Sequence, residues 1–180
     1  MSKHLAIVVD WYGPYTPEQA IAAAAEDFES GLYLGIGKRK HQKAAATPQY
    51  VGLSKNIASR LRNHSKLPDI TRDTKIWLGE VATAGVPGKS RKKTQTTIDL
   101  AEWALSYFMK LPLNTKKRKN PPDRAMTLLN RWWRIDYETP WRKRPHQQWP
   151  DLIDYVDPEY PARIVWFGGR MKSSSPWRET

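Results

Sequence analysis

What most limits the fold of this chain lies between residues 31 and 53, where two short apolar stretches each carry a glycine and a tyrosine. Gly31 to Ile36 alternates apolar and small residues and reads as a strand, and Gln49 to Leu53 reads as a second. Between them, Lys38 to Pro48 is a basic, alanine-containing loop, so the two strands are expected to pair antiparallel across a long connection. The tripeptides Gly31-Leu32-Tyr33 and Tyr50-Val51-Gly52 thus bring two phenols onto neighbouring strands.

Other elements can be placed around this pair. Leu5 to Val9 is an apolar, β-branched run that reads as a buried strand. Thr16-Pro17-Glu18 supplies an N-cap, a proline at the first helical position and an acidic first turn, and the alanines up to Phe28 continue that helix. Ser54 is a candidate N-cap for a helix from Lys55 to about His64, with Ile57 and Leu61 facing inward. Lys75 to Ala82 reads as a third strand and Gly85 to Lys93 as a loop. A helix follows from about Thr94 to Lys110, with Ile98, Ala101, Leu105 and Phe108 at helical spacing and Pro112 as its stop.

Composition changes beyond Asn114. Lys116-Lys117-Arg118-Lys119 leads into Pro121-Pro122, a turn signal. Ala125 to Trp133 fits a helix through Met126, Leu129 and Trp133 or a strand through Met126, Leu128 and Trp132; the strand is preferred. A short helix is expected near Asp151 to Tyr155, then a last strand from Arg163 to Phe167 ending at Gly168-Gly169, with a disordered tail from about Ser173. The division that follows is an N-terminal strand-helix element over 1–30, a core over 31–115 and a basic, aromatic extension over 116–180 packed on it. The expected fold class is α+β: a small antiparallel sheet of mixed strand order, about three strands flanked by helices, with the basic, Trp-rich extension adding a strand or two.

Charge narrows the range of partners. The net charge is +12, yet residues 1–36 set Lys3 against Asp10, Glu18, Glu26, Asp27 and Glu29, a net of −4 that leaves +16 on the remainder. A basic body of this kind points to a polyanion, most often nucleic acid. No cysteine is present, which excludes disulfides and thiolate metal sites. No apolar stretch approaches the length of a membrane span, so a cytoplasmic protein without a membrane partner is expected.

Arg60 follows Tyr50 by ten residues, and His64 comes four residues later on the same helical face. Read alone, Arg60 is an ordinary solvated helix residue and His64 a C-terminal dipole partner. Glu102 is a carboxylate among apolar neighbours on the long helix, a costly placement unless it is paired, solvated or metal-bound. Leu111-Pro112-Leu113-Asn114 ends that helix, with Asn114 twelve residues past Glu102.

The run from Gly31 to Asn114 resembles the GIY-YIG nuclease family, whose two name-giving tripeptides match Gly31-Leu32-Tyr33 and Tyr50-Val51-Gly52. Leu32 and Val51 replace the isoleucines of the name, and the sixteen residues between Tyr33 and Tyr50 are more than is usual in the family. The resemblance implies a metal-dependent endonuclease hydrolysing phosphodiester bonds of double-stranded DNA. In it Tyr33 would be the general base, with His64 the preferred acceptor of its proton, Tyr50 an alternative, and Lys38 or His41 weaker candidates. Arg60 would clamp the phosphate, Glu102 would hold one Mg²⁺ or Mn²⁺, and Asn114 would orient the phosphate or a group behind it. For tyrosines in general, plain strand packing with a hydrogen-bonded hydroxyl is a better fit than catalysis.

Backbone-contacting cations are expected at Lys38, Arg39 and Lys40, at Arg91, Lys92 and Lys93, at Lys116, Lys117, Arg118 and Lys119, and at Arg142, Lys143 and Arg144. Trp132, Trp133, Trp149 and Trp166 are read slightly in favour of core packing over base stacking. A restriction or defence enzyme leads the functional readings, with a homodimer implied if its target is palindromic. A structure-selective repair nuclease and a non-catalytic nucleic-acid-binding module are the alternatives.

Overall fold

The computed structural model describes residues 4–85, 95–156 and 159–174. One mixed sheet holds eight strands: β1 (Leu5–Tyr15), β2 (Gly31–Arg39), β3 (Thr47–Ser54), β4 (Ile70–Gly85), β5 (Met126–Trp133), β6 (Leu152–Tyr155), β7 (Ala162–Trp166) and β8 (Arg170–Ser174). Their spatial order is β3-β2-β4-β1-β5-β6-β7-β8. The helices among the described residues are α1 (Pro17–Asp27), α2 (Ile57–Arg62) and α3 (Gln95–Phe108), with a single 3-10 turn at Leu67–Asp69.

This overturns the expected small sheet of about three strands flanked by helices. The reason is β1, which runs on past Val9 to Tyr15 and is paired along both edges, antiparallel to β4 and parallel to β5. Because β1 lies inside the sheet, the strands of the C-terminal region continue it. The segment expected as a short helix near Asp151 is instead β6, with Ile153 and Tyr155 turned inward at period two and pairing on both sides. Gly168 and Gly169, both at positive φ, then reverse the chain into β8, which takes up Ser173 and Ser174.

Local signals explain the helices. Thr16 caps α1 in a capping box with Gln19, and Pro17 occupies the first turn. The cap of α2 is Asn56, whose side chain accepts from the Ser59 amide at 3.0 Å, because Ser54 still belongs to β3. The end of α3 is a Schellman closure: Leu111 N–H donates to Ser106 C=O and Lys110 N–H to Tyr107 C=O, with Lys110 at φ 52°. Pro112 follows a helix that has already stopped. The connection between β2 and β3 covers only residues 40–46, since both strands extend into the expected loop.

Each face of the sheet carries its own apolar layer. Leu32, Leu34, Val51 and Trp11 pack towards α3, whereas Tyr33, Ile76 and Leu78 pack towards α1 and α2. Four tryptophans bind the C-terminal region to the first layer. Trp149, fully buried, stands edge-on to Trp11 at 4.9 Å, Trp132 at 5.4 Å and Trp77 at 5.9 Å. Trp11 donates its indole N–H to Asn130 Oδ1 at 2.8 Å, and Asn130 Nδ2 donates to Pro150 C=O at 3.0 Å, so this buried amide locks the same junction. Trp132, Trp149 and Trp166 are therefore core residues and Trp133 is partly buried. Trp149→Ala should cost about 3–5 kcal/mol in urea unfolding. A loss below about 1 kcal/mol would mean that the cluster does not hold the two halves together.

Candidate functional site

The site begins with a steric requirement. In the β2–β3 register Tyr33 lies opposite Gly52, and its ring passes over that glycine. A Cβ on Gly52 would stand 2.3 Å from the Tyr33 hydroxyl oxygen, so the glycine of the second tripeptide exists to admit the phenol of the first. Gly31 answers a similar demand, since a Cβ there would meet the Gly79 carbonyl of β4 at 2.5 Å. Tyr50, two residues before Gly52, shares the face, and the two phenol rings stack at 6.1 Å with 28° between their planes.

His64 stands beyond the end of α2, buried, with its ring edge-on to Tyr33 at 5.5 Å and to Tyr50 at 4.8 Å. Its Nδ1 accepts backbone N–H groups from Lys66 and Leu67, both at 2.9 Å. Two donors at Nδ1 leave the ring proton on Nε2, which lies 2.9 Å from the Tyr33 oxygen and donates to it. Burial, reinforced by the charge of Arg60, pushes the imidazole down to about 4, so the ring is neutral near pH 7. In this arrangement His64 is a donor to Tyr33 and does not take its proton, contrary to the expected role.

Tyr33 is wholly enclosed yet borders the cavity described below. Burial, with Tyr50 and Glu102 nearby, raises its hydroxyl well above the ordinary value, and the hydrogen-bonding and charge of Arg60 oppose that rise. Arg60 is largely exposed on α2, with its guanidinium hydrogen-bonded to the two phenols.

The remaining groups come from α3 and the turn after it, and the edge of the sheet aligns them. β3 is an edge strand, so its outward backbone groups need partners. Gln49 C=O accepts from Leu113 N–H at 3.0 Å. Val51 N–H donates to Asn114 Oδ1 at 2.9 Å, and Asn114 Nδ2 donates to Val51 C=O at 2.8 Å. The Leu53 amide faces the Glu102 carboxylate. Asn114 thus acts as a one-residue strand, its amide committed to Val51, and it positions the loop without reaching for a phosphate.

Glu102 is mostly enclosed, and burial raises its carboxyl while Lys117 pulls it back down. Lys117 Nζ lies 2.8 Å from Glu102 Oε1 and is also paired with Asp99 Oδ1. Lys117, expected among the backbone-contacting cations, is brought to the carboxylates instead by the chain reversal after Lys110. Together Tyr33, Tyr50, Arg60, Glu102, Asn114 and Lys117 line a cavity of about 440 Å³, with Lys66, Asp99 and Lys116 at its wall. His64 stands behind the tyrosines and does not line it.

A metal fits the chemistry of this donor set. Among the described residues no three His, Cys, Asp or Glu side chains group to hold an ion. A hard divalent cation needs only one or two carboxylates when phosphate and water complete its shell, and here an ammonium already sits between two of them.

The other expected cations are distributed differently. Lys116 borders the cavity and Arg118 and Lys119 are exposed beside it, whereas Lys38, Arg39 and Lys40 are not in its wall. Lys143 and Arg144 border a separate, apolar cavity of about 620 Å³ with Trp77 and Trp141, which holds none of the groups above. Arg144 is committed to Asp151 at 2.9 Å and to the Phe167 C=O at 2.7 Å, while Arg142 is exposed. Arg91, Lys92 and Lys93 lie outside the described residues. No helix among the described residues is long and apolar enough to cross a membrane. Comparison of the chain with protein-family models, curated proteins and solved structures finds no match.

The state of His64 has a consequence for stability. Its folded value lies below the ordinary 6.5, so between about pH 6.5 and 4 the unfolded chain binds the proton that the folded ring refuses. Stability contributed above pH 6.5 is therefore lost as pH falls towards 4, by up to about 3 kcal/mol. Unfolding of a His64→Gln variant over the same range should lack this part of the slope; an identical slope would refute the assignment.

Proposed function

We propose that the chain is a metal-dependent endonuclease that hydrolyses DNA phosphodiester bonds at the cavity between β3 and α3. One observation carries this reading: two stacked phenols, a guanidinium and a carboxylate paired with an ammonium converge on one cavity of about 440 Å³ in a strongly basic chain. Apart from the phenols these are charged groups, of the kinds that phosphoryl transfer requires.

The residues divide the work as follows. Arg60, exposed and beside the phenols, would take the scissile phosphate in two parallel hydrogen bonds. Glu102, with Asp99 as a second carboxylate, would hold one Mg²⁺ or Mn²⁺, which when bound polarises a phosphoryl oxygen and stabilises the departing oxygen. Tyr33 as phenolate would remove a proton from water as the new O–P bond forms and the bond to the leaving sugar oxygen breaks, that oxygen then taking a proton from solvent. Its phenol is protonated at rest, and the hydrogen bond from His64 Nε2–H favours the phenolate once it forms. Lys116, Arg118 and Lys119 would bind flanking phosphates, making association strongly salt-dependent. A restriction or defence role is the finer proposal, with discrete plasmid fragments as its mark. A repair nuclease would instead cut branched or flapped DNA.

A second reading is a non-catalytic nucleic-acid-binding module. The enclosure of Tyr33 and the engagement of Glu102 by Lys117 favour it. Incubation with plasmid DNA and Mg²⁺ separates the two. Tyr33→Phe, Arg60→Ala and Glu102→Ala, each folded by circular dichroism, should each lower cleavage by at least about 10²-fold. Full cleavage by Glu102→Ala would sink the metal role, and tight binding without cutting would favour the module.

The elevated Tyr33 hydroxyl also sets the pH response. Below its pKa the phenolate fraction rises about tenfold per pH unit, so cleavage at fixed Mg²⁺ should climb from pH 7 to 9. A flat profile would remove Tyr33 as the base.

A further inference from the structure

We propose that Lys117 is a built-in occupant of the cation position, holding Glu102 and Asp99 together until a divalent cation displaces it. The inference rests on the reading of Glu102 as the metal-binding carboxylate.

Three observations support it. First, the Lys117 ammonium contacts both carboxylates, at 2.8 Å from Glu102 Oε1 and closely on Asp99 Oδ1, and so takes up the acidic groups that a metal would need. Two carboxylates against one ammonium leave a residual negative charge, which a dication would answer better than a monocation does. A dication and the ammonium cannot share the spot, since like charges a few ångströms apart in a half-enclosed cavity repel strongly.

Second, the lysine is placed where it can leave. It follows Asn114 on a segment outside helix and strand, held at one end by the Asn114–Val51 amide pair and at the other by Trp103 Nε1–H donating to the Asn120 C=O at 2.8 Å. Its side chain can swing without breaking either anchor. Third, Lys66, Lys116 and Arg60 line the same cavity, so an entering phosphate finds cations around it and offers Lys117 a new counter-ion. The free protein is then a weak metal binder, and phosphate entry and metal binding assist one another.

Mn²⁺ binding to the free protein tests this, read from the electron paramagnetic resonance signal of the unbound ion. Lys117→Met should bind Mn²⁺ at least about tenfold more tightly than the unsubstituted protein, and adding Glu102→Gln should abolish the gain. Because removing the ammonium takes the cationic partner from a mostly enclosed carboxylate, Lys117→Gln serves as a second variant, and Mn²⁺ should raise its melting temperature more than that of the parent. Equal Mn²⁺ affinities in parent and Lys117→Met, or a gain that survives Glu102→Gln, would overturn the proposal. These outcomes are separable from the nuclease reading. A parent that cleaves DNA with Mg²⁺ while Lys117→Met binds Mn²⁺ no better sinks the lysine proposal alone. Tighter Mn²⁺ binding that depends on Glu102, in a chain that cuts nothing, sustains it while sinking the nuclease.

Discussion

An edge strand must find partners for its outward backbone groups, and in this protein β3 finds them on α3 and the turn that follows it. Asn114 supplies both halves of an amide to Val51, Leu113 donates to Gln49, and Glu102 faces the Leu53 amide two residues further on. The strand repeat therefore spaces the groups that α3 delivers. The edge that carries Tyr50 is the edge along which the carboxylate is aligned. Closing the sheet and assembling the site are the same structural event.

On the inner side of β3 a second constraint applies. The Tyr33 ring occupies the volume above Gly52, and His64, neutral and fixed by two backbone amides, donates to its oxygen. This sets the phenol's orientation and leaves its proton to face away from the imidazole. Burial raises the cost of the phenolate, while Arg60 and His64 each reduce it. Burial outweighs them, so the tyrosine is held firmly as the phenol at rest.

Much of this was legible because it is local. The Thr16-Pro17 start, the two strands that carry the tyrosines, α3 and the strand near Met126 all follow from caps and periodicity within short windows. The partners of β1 were not legible, since an apolar run announces a buried strand but not which strands lie beside it. β6 has four residues, too few to separate a period of two from one of 3.6. At the site, Tyr33, Tyr50, Arg60 and Glu102 could be named from their order. The Lys117 contact could not, because it depends on a chain reversal at Lys110 that returns a basic run to the helix it has just left. The His64 tautomer depends on backbone amides at Lys66 and Leu67, which no side-chain pattern reveals.

The central claim is that the cavity between β3 and α3, and not the apolar cavity beside Trp141, receives the phosphodiester. Amide chemical-shift mapping with a non-cleavable phosphorothioate duplex tests it most directly. The account predicts that shifts concentrate at Tyr50, Arg60, Lys66 and Lys116 and weaken as salt rises. Shifts centred on Trp77, Trp141 and His146, or none at a duplex concentration that saturates binding, would contradict it.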